Sequence, residues 1–449
     1  MKFEQSKNLM PHAHRLIPGG CHTYAKGDDQ FPQLAPAFIS HGKGSHVWDI
    51  DGNEFIEYGN GCRAVSLGHA FEPVISAVRA ELGNGVNFSR AAKIEVDCAE
   101  ALLGLIQNAD MCKFAKNGSD VTTAAHKLAR GITGRNMVAY CQDQPFFSID
   151  DWFIGTTKFN HGIPDEIQAM SVGFRYDDPD SLERVFQKHP DQIACVILEA
   201  AKYTEPSANY LLEVQQLCKS YGALFILDEM ITGFRWHNRG AQHVYGLEPD
   251  LSTFGKALAN GFSVSALLGK REHMEIGGLY HDRERLFLLS TTHGAETHAL
   301  AAAIATIEFY QNNPVIETLD SIGTSLKRNL DRVIAERELD DYVKVIGRPS
   351  NLVFGTRDRE GQPCQLMRAL LMQELIRHGV LGTSLVVCYS HSQEDVLATS
   401  KAFEQALDVY QKALEGQVED YLVGHPTQMV YRKLNGKGFG KVDFPACPP

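Results

Sequence analysis

The stretch Ala223–Met230, ALFILDEM, decides the fold. Its first five residues are all apolar, which reads as a strand buried within a parallel sheet. The run ends on Asp228 and Glu229. In open α/β sheets ligands sit beyond the carboxyl ends of the strands, so a carboxylate stands where a ligand is expected. Upstream, strands and helices alternate. Leu211–Tyr221 has a helical pattern, Ile193–Leu198 reads as a strand ending on Glu199, Ser181–His189 is helical and Met137–Cys141 is a strand. A short strand, Met111–Phe114, precedes Val121, Ala124, Ala125, Leu128, Ala129 and Ile132, which recur at helical spacing. This alternation predicts an α/β fold whose mostly parallel sheet is covered by helices on both faces.

The flanks read differently. Residues 1–36 form an arm, and Pro18-Gly19-Gly20 breaks any helix begun at Pro11–Ile17. Ser45–Trp48 and Glu54–Glu57 alternate around Asp51-Gly52, a hairpin signal. Helices are expected over Pro73–Leu82 and Glu95–Ile106, and a strand over Leu286–Ser290. Thr297 is placed to cap an Ala-rich helix, His298–Tyr310. Beyond Asn312-Asn313-Pro314 come helix Ile316–Glu336, strands near Val343–Ile346 and Leu352–Gly355, and helix Gln365–His378 closed by Gly379. Ser392–Asp395 resembles a capping box opening helix Val396–Leu414. That makes a second, smaller α+β unit. The tail after Gly416 is rich in Gly, Pro and Lys and yields no element.

Composition narrows the function. The 449 residues are 44% hydrophobic and 22% charged, ordinary for a soluble globular enzyme. The net charge of −12 argues against nucleic-acid or anionic-membrane binding. No apolar run approaches bilayer length and the N-terminus lacks the centre of a secretion signal. The ten cysteines are scattered, with no C-x-x-C pair, as for reduced thiols in a cytoplasm. Gly59-Asn60-Gly61 lacks the third glycine of a dinucleotide loop, and the histidines lack partners at zinc spacing, so no metal is expected.

One lysine carries the chemistry. Lys256 lies in Leu251–Gly261 among Phe254, Gly255, Ala257, Leu258 and Ala259. A lysine at a helix start is ordinarily a surface residue. This apolar setting would desolvate it, lowering its pKa toward a nucleophilic amine. A strand-end aspartate followed by such a lysine points to pyridoxal 5′-phosphate. The lysine would hold the aldehyde as a Schiff base, while Asp228 would keep the pyridine nitrogen protonated. Asn117-Gly118-Ser119-Asp120 opens an amphipathic helix, where free N–H groups and the helix dipole favour phosphate. Asp120 would repel a phosphate if it pointed inward and is expected to point outward or toward the substrate side. Phe146 or Phe147 would stack on the pyridine face, with core packing the equal alternative. Glu199 can face the same crevice as Asp228.

Together these residues resemble the class III aminotransferases, in the glutamate-1-semialdehyde 2,1-aminomutase-like branch. The resemblance rests on Pro18-Gly19-Gly20, Val47–Asn53, Leu67-Gly68-His69, Leu227–Arg235 and Pro249-Asp250 through Lys256, and reaches about Tyr410. It implies a fold type I, aspartate aminotransferase-like transferase. The corresponding division is an N-terminal arm and small-domain segment over 1–75, a large cofactor-binding domain over 76–313, a small domain over 314–415 and a tail over 416–449. Lys256 would be the Schiff-base lysine and Asp228 the ring-nitrogen partner. Asn117, Gly118 and Ser119 would serve the phosphate, and Glu199 would position the lysine or the substrate. Thr291, with Thr292 as the close alternative, would reach the phosphate of a neighbouring subunit, which implies a homodimer with shared sites.

Four stretches depart from the family, Asn117–Asp120 and Phe146–Ser148 among them, and the other two lie on the substrate side. Gly61-Cys62-Arg63 replaces a Trp-bearing loop, and His293-Gly294-Ala295-Glu296 replaces a small Ser-Gly-Asn loop. Arg63 can grip an anionic group or be an exposed loop arginine. His293 and Glu296 join it as substrate candidates. The expected activity is amino transfer from a small-molecule donor to a carbonyl acceptor, a keto-sugar or another polar aldehyde or ketone. The alternative is intramolecular transfer by an aminomutase. A binding protein without catalysis is disfavoured by the intact Lys256 and Asp228.

Overall fold

Leu224–Asp228 is a strand buried at every position, as its apolar run dictates. The computed structural model describes residues 1–424 together with 426 and 427. Their strands, in chain order, are β1 Ile39–Lys43, β2 His46–Asp49, β3 Glu54–Glu57, β4 Met111–Ala115, β5 Met137–Cys141, β6 Ser171–Phe174 and β7 Ile193–Glu199. Then follow β8 Leu224–Asp228, β9 Leu251–Phe254, β10 Ser265–Gly269, β11 Val343–Ile346, β12 Val353–Thr356 and β13 Val380–Leu381. The described residues form two compact units, one of Arg63–Ser66 with Glu72–Ile316, the other of Met1–Cys62, Leu67–Phe71 and the described residues from Glu317 onward.

The first of these units is built on a seven-stranded sheet of order β4-β10-β9-β8-β7-β5-β6. Strands β6, β5, β7, β8 and β9 run parallel. β10 alone runs antiparallel, to both β9 and β4. The connection 255–264 explains this, because it is shorter than the dozen or so residues that a parallel crossover needs. Helix Tyr210–Tyr221 joins β7 to β8 and stops at Gly222, whose φ of 64° is the left-handed conformation that suits a C-terminal cap. Fully buried β7 and β8 pack with helix Gly118–Thr133 into one apolar core.

The second unit holds the sheet β1-β2-β3-β13 and the pair β11-β12. The Asp51-Gly52 turn is locked by Asp49 Oδ1, which accepts the N–H groups of Asp51 at 3.0 Å and Asn53 at 2.7 Å. Helices Val315–Ala335, Gln365–Arg377 and Gln393–Glu415 complete it. The capping box is present. Ser392 Oγ accepts the Asp395 N–H at 3.1 Å while Asp395 Oδ2 accepts the Ser392 N–H at 2.8 Å.

Two expectations are corrected. Leu286–Ser290 is not a strand. Its alternation is real, with Leu288 buried and Phe287 exposed, but no strand among the described residues supplies a ladder. Thr297 does not cap the Ala-rich helix, which begins at Thr297 itself behind Glu296. Its hydroxyl instead donates to the Gly85 carbonyl at 2.7 Å. Of the tail, Val418–Asp420 makes a short 3-10 turn. Residue 425 and residues 428–449 lie outside the described residues.

One glycine sets a test of the packing. A Cβ on Gly323, inside helix Val315–Ala335, would lie 2.0 Å from the Pro349 carbonyl oxygen. Gly→Ala in an open helix gains about 1 kcal/mol. Gly323→Ala is predicted to reverse that sign and cost about 1–3 kcal/mol by overpacking, read as a lower urea midpoint. A higher midpoint would contradict the contact.

Candidate active site

Register brings the acidic residues together. Glu199 pairs with Asp228 across β7 and β8, and Asp228 with Thr253 across β8 and β9. Residues paired in a parallel ladder project to the same face. The Glu199 and Asp228 carboxylates and the Thr253 hydroxyl therefore stand abreast at the carboxyl edge of the sheet. Asp228 Oδ1 accepts the Met230 N–H at 2.9 Å and the Thr253 hydroxyl at 3.1 Å. Among the described residues both of these bonds end on Oδ1, which leaves Oδ2 able to accept another donor. Burial raises the Asp228 pKa, the Glu199 carboxylate raises it further, and Lys256 pulls the other way.

Lys256 follows β9 across Gly255. Burial pulls its pKa below the ordinary lysine value, Arg63 and Arg235 add to that, and Asp228 and Glu199 oppose it. Its backbone has φ 47°, in the left-handed region. For a residue with a side chain such a conformation costs on the order of 1–3 kcal/mol, and it tends to persist at sites where neighbours over-determine it.

The turn after β4 forms the opposite wall. Ser265 Oγ, at the start of β10, donates to the Asn117 carbonyl at 2.7 Å. Asp120 turns its carboxylate back onto the Asn117 N–H at 2.9 Å, closing a capping box at the start of the helix. The N–H groups of Gly118 and Ser119 lie in the first turn, where a helix supplies no acceptor. Ser119 Oγ accepts the Ile149 N–H at 3.1 Å and keeps its own proton to donate. Met230 wedges between this turn and the lysine. Its Sδ lies 2.9 Å from where a Cβ on Gly118 would stand and 2.7 Å from one on Gly255.

The aromatic loop divides its two phenylalanines. Phe147 is core, edge-on to Phe153, with its carbonyl accepting the Thr122 hydroxyl at 2.8 Å. Phe146 is partly buried, and it too lies edge-on to Phe153 at the margin of the core. Arg63 closes a turn, Asn60–Arg63, in which all four residues have positive φ. Its carbonyl accepts Nη2 of the buried Arg235 at 2.6 Å. Thr291, Thr292 and His293 are exposed. The described contacts of Thr291 and Thr292 reach Gly294 and Asn87, not Asp228 or Lys256. Glu296 is ion-paired with Lys116, which holds its carboxyl below the usual range, and His293 Nδ1 lies 3.5 Å from it.

Sequence reasoning gave no role to Gln144, Thr253 or Ser265, and used Met230 and Arg235 only as part of a motif. Thr253 was readable from its place at the end of β9. Gln144 and Ser265 act through single side-chain contacts that carry no periodic signal.

The aminotransferase class III family model matches residues 24–381. The chain belongs to the class III aminotransferase family. A 3-aminobutyryl-CoA aminotransferase from Cloacimonas acidaminovorans is 30% identical over 92% of this chain and 99% of the relative. A glutamate-1-semialdehyde 2,1-aminomutase from Persephonella marina is 32% identical over 75% of this chain and 80% of that one. Among solved structures, the FumI protein of Sphingopyxis sp. MTA144 has a TM-score of 0.83 and 25% identity, covering 94% of this aminotransferase and all of that chain. The fold is the fold type I of the pyridoxal phosphate transaminases.

Pyridoxal 5′-phosphate is the cofactor of this family and of this enzyme. The residues present fit it. Asp228 Oδ2 would accept from a ring N–H, and Gly118 with Ser119 would accept a phosphate. The absence of a Cβ at Gly118 and Gly255 is what lets the Met230 thioether lie against both turns. Among the described residues no group of His, Cys, Asp and Glu is arranged to hold a metal.

The raised Asp228 pKa has a linkage consequence for the cofactor-free protein. Between the ordinary value of 3.8 and the raised one, the folded state binds more protons than the unfolded state. Stability from this group is therefore present at low pH and lost as pH rises through that window. Urea midpoints of the cofactor-free protein should show this downward contribution, and Asp228→Asn should remove it. Identical slopes for both proteins would refute the assignment.

Proposed function

We propose that this enzyme is a two-substrate aminotransferase moving an amino group from a small-molecule donor to a polar carbonyl acceptor. The observation that carries the reading is the desolvated Lys256 facing an Asp228 whose Oδ2 is able to accept another donor. Bound pyridoxal phosphate would supply an electron sink for the substrate α-carbon. Lys256 would anchor the cofactor and carry the proton away from and back to carbon. Asp228 would hold the ring nitrogen protonated, and Phe146 would cover one ring face. Asn117, Gly118 and Ser119 would seat the phosphate.

Homodimerisation belongs to the same proposal, with Thr291 or Thr292 reaching the partner's phosphate. Supporting it, both threonines are exposed, as are the large apolar side chains Leu279, Tyr280 and Phe287 earlier in the same region. A cytosolic enzyme fits the chain, since no helix among the described residues is long and apolar enough to cross a membrane. Arg63, His293 and Glu296 are proposed on the substrate side, with Arg63 as the grip for an anionic acceptor or donor. A keto-sugar or another polar ketone or aldehyde would suit these groups.

Intramolecular transfer, as in the relatives named as aminomutases, is the second reading. It needs a lid that retains its intermediate. Against it, the segment carrying His293 is pinned by the Glu296–Lys116 ion pair.

A panel of amino donors and carbonyl acceptors, read by cofactor absorbance, tests the first reading. The band should bleach with a donor and recover only with a separate acceptor. Rapid isomerisation of glutamate-1-semialdehyde without any donor would favour the mutase instead. Lys256→Ala should abolish the reducible link to cofactor and lower turnover on the order of 10³-fold or more. Asp228→Ala should keep part of the cofactor binding and lose most turnover.

A further inference from the structure

The loop between β5 and the Asp151–Ile154 turn holds a buried side chain to which none of these roles is assigned. Gln144 Nε2 donates to the Glu199 carbonyl at 2.6 Å, and Gln144 Oε1 accepts the Glu199 N–H at 2.8 Å. A single amide thereby closes both backbone groups of one residue, as a neighbouring strand would. The ladder between β5 and β7 ends at Tyr140 and Ile197, before Glu199 is reached. On its other edge Glu199 is held by the β8 register with Asp228. Fixed from both sides, it still carries an Oε2 that is buried and has no hydrogen-bond partner among the described residues. A carboxylate oxygen in that state is costly unless a cation or donor meets it.

The charged and titratable groups around it are few. Asp228 and Lys256 face Glu199 from β8 and from the turn after β9, and the Cys141 thiol lies at the end of β5. Arg63 and Arg235 act on Lys256 from the remaining sides. Of these groups, Lys256 is the one whose nitrogen must change protonation during amino transfer. We propose that Gln144 is a positioning residue acting through Glu199, locking the end of β7 so that the Glu199 carboxylate stays beside Asp228 and supports positive charge on the Lys256 nitrogen. This rests on the reading of Lys256 as the amine that bears the cofactor.

The pH titration of the visible absorbance of cofactor-loaded protein, without substrate, tests it. Gln144→Met keeps the length of the side chain but neither donates as an amide nor accepts as one. Gln144→Met and Glu199→Gln should each lower the titration midpoint, by about one unit, the scale expected for a lost opposite charge nearby. In the Glu199→Gln background, Gln144→Met should add nothing. Gln144→Leu with an unaltered circular dichroism spectrum serves as the second variant should the methionine protein fail to fold. An unshifted midpoint in a folded Gln144 variant, or additive shifts in the double variant, would overturn the proposal. Failure of the wild-type protein to show a titrating cofactor band would instead overturn the aminotransferase reading, and this proposal with it.

Discussion

Two carboxylates at the same height on neighbouring strands need a positive charge between them, and the candidate site follows from that need. Parallel strands lie about 4.8 Å apart. At that spacing, two unit charges in a medium of effective dielectric ~20 repel by about 3 kcal/mol. Glu199 and Asp228 are both buried, so water screens them poorly. A charged Lys256 and the protonated ring nitrogen of a bound cofactor would each relieve this repulsion. The acid pair would thus favour the loaded state over the empty one.

Topology places the cations there. Because the chain returns from β9 to β10 through only one short 3-10 turn, Lys256–Ala259, Lys256 is held at the carboxyl edge of the sheet. β10 then runs beside β4 and sets Ser265 against the Asn117 carbonyl. The antiparallel strand is what brings a helix N-terminus from the first half of the large unit against a lysine from its second half. A fully parallel sheet with a long crossover would separate them.

Much of this was legible in the residues because the determining signals are local. Apolar runs ending on Glu199 and Asp228, the helical spacing after Ser119 and the Ser392 capping box need no partner to be recognised. What stayed hidden depends on pairing. The short strands β6 and β10 carry little pattern of their own, since Ser171–Phe174 has a glycine at its third position and Ser265–Gly269 is buried on both faces. Leu286–Ser290 alternates like a strand yet pairs with no strand among the described residues. Gln144 illustrates the same limit for the site, because its effect comes from a bond to a residue far along the chain. The fate of Glu296 likewise hinges on Lys116, a partner that spacing does not announce.

Met230 joins positions 118, 230 and 255 into one shared volume. Enlarging either glycine by a methyl group requires the thioether to withdraw, and shortening the thioether frees room at both glycines at once. The three positions, widely spaced in the chain, are therefore constrained to vary as a set. Exchanging any one of them changes the space at the helix mouth and the setting of the lysine together.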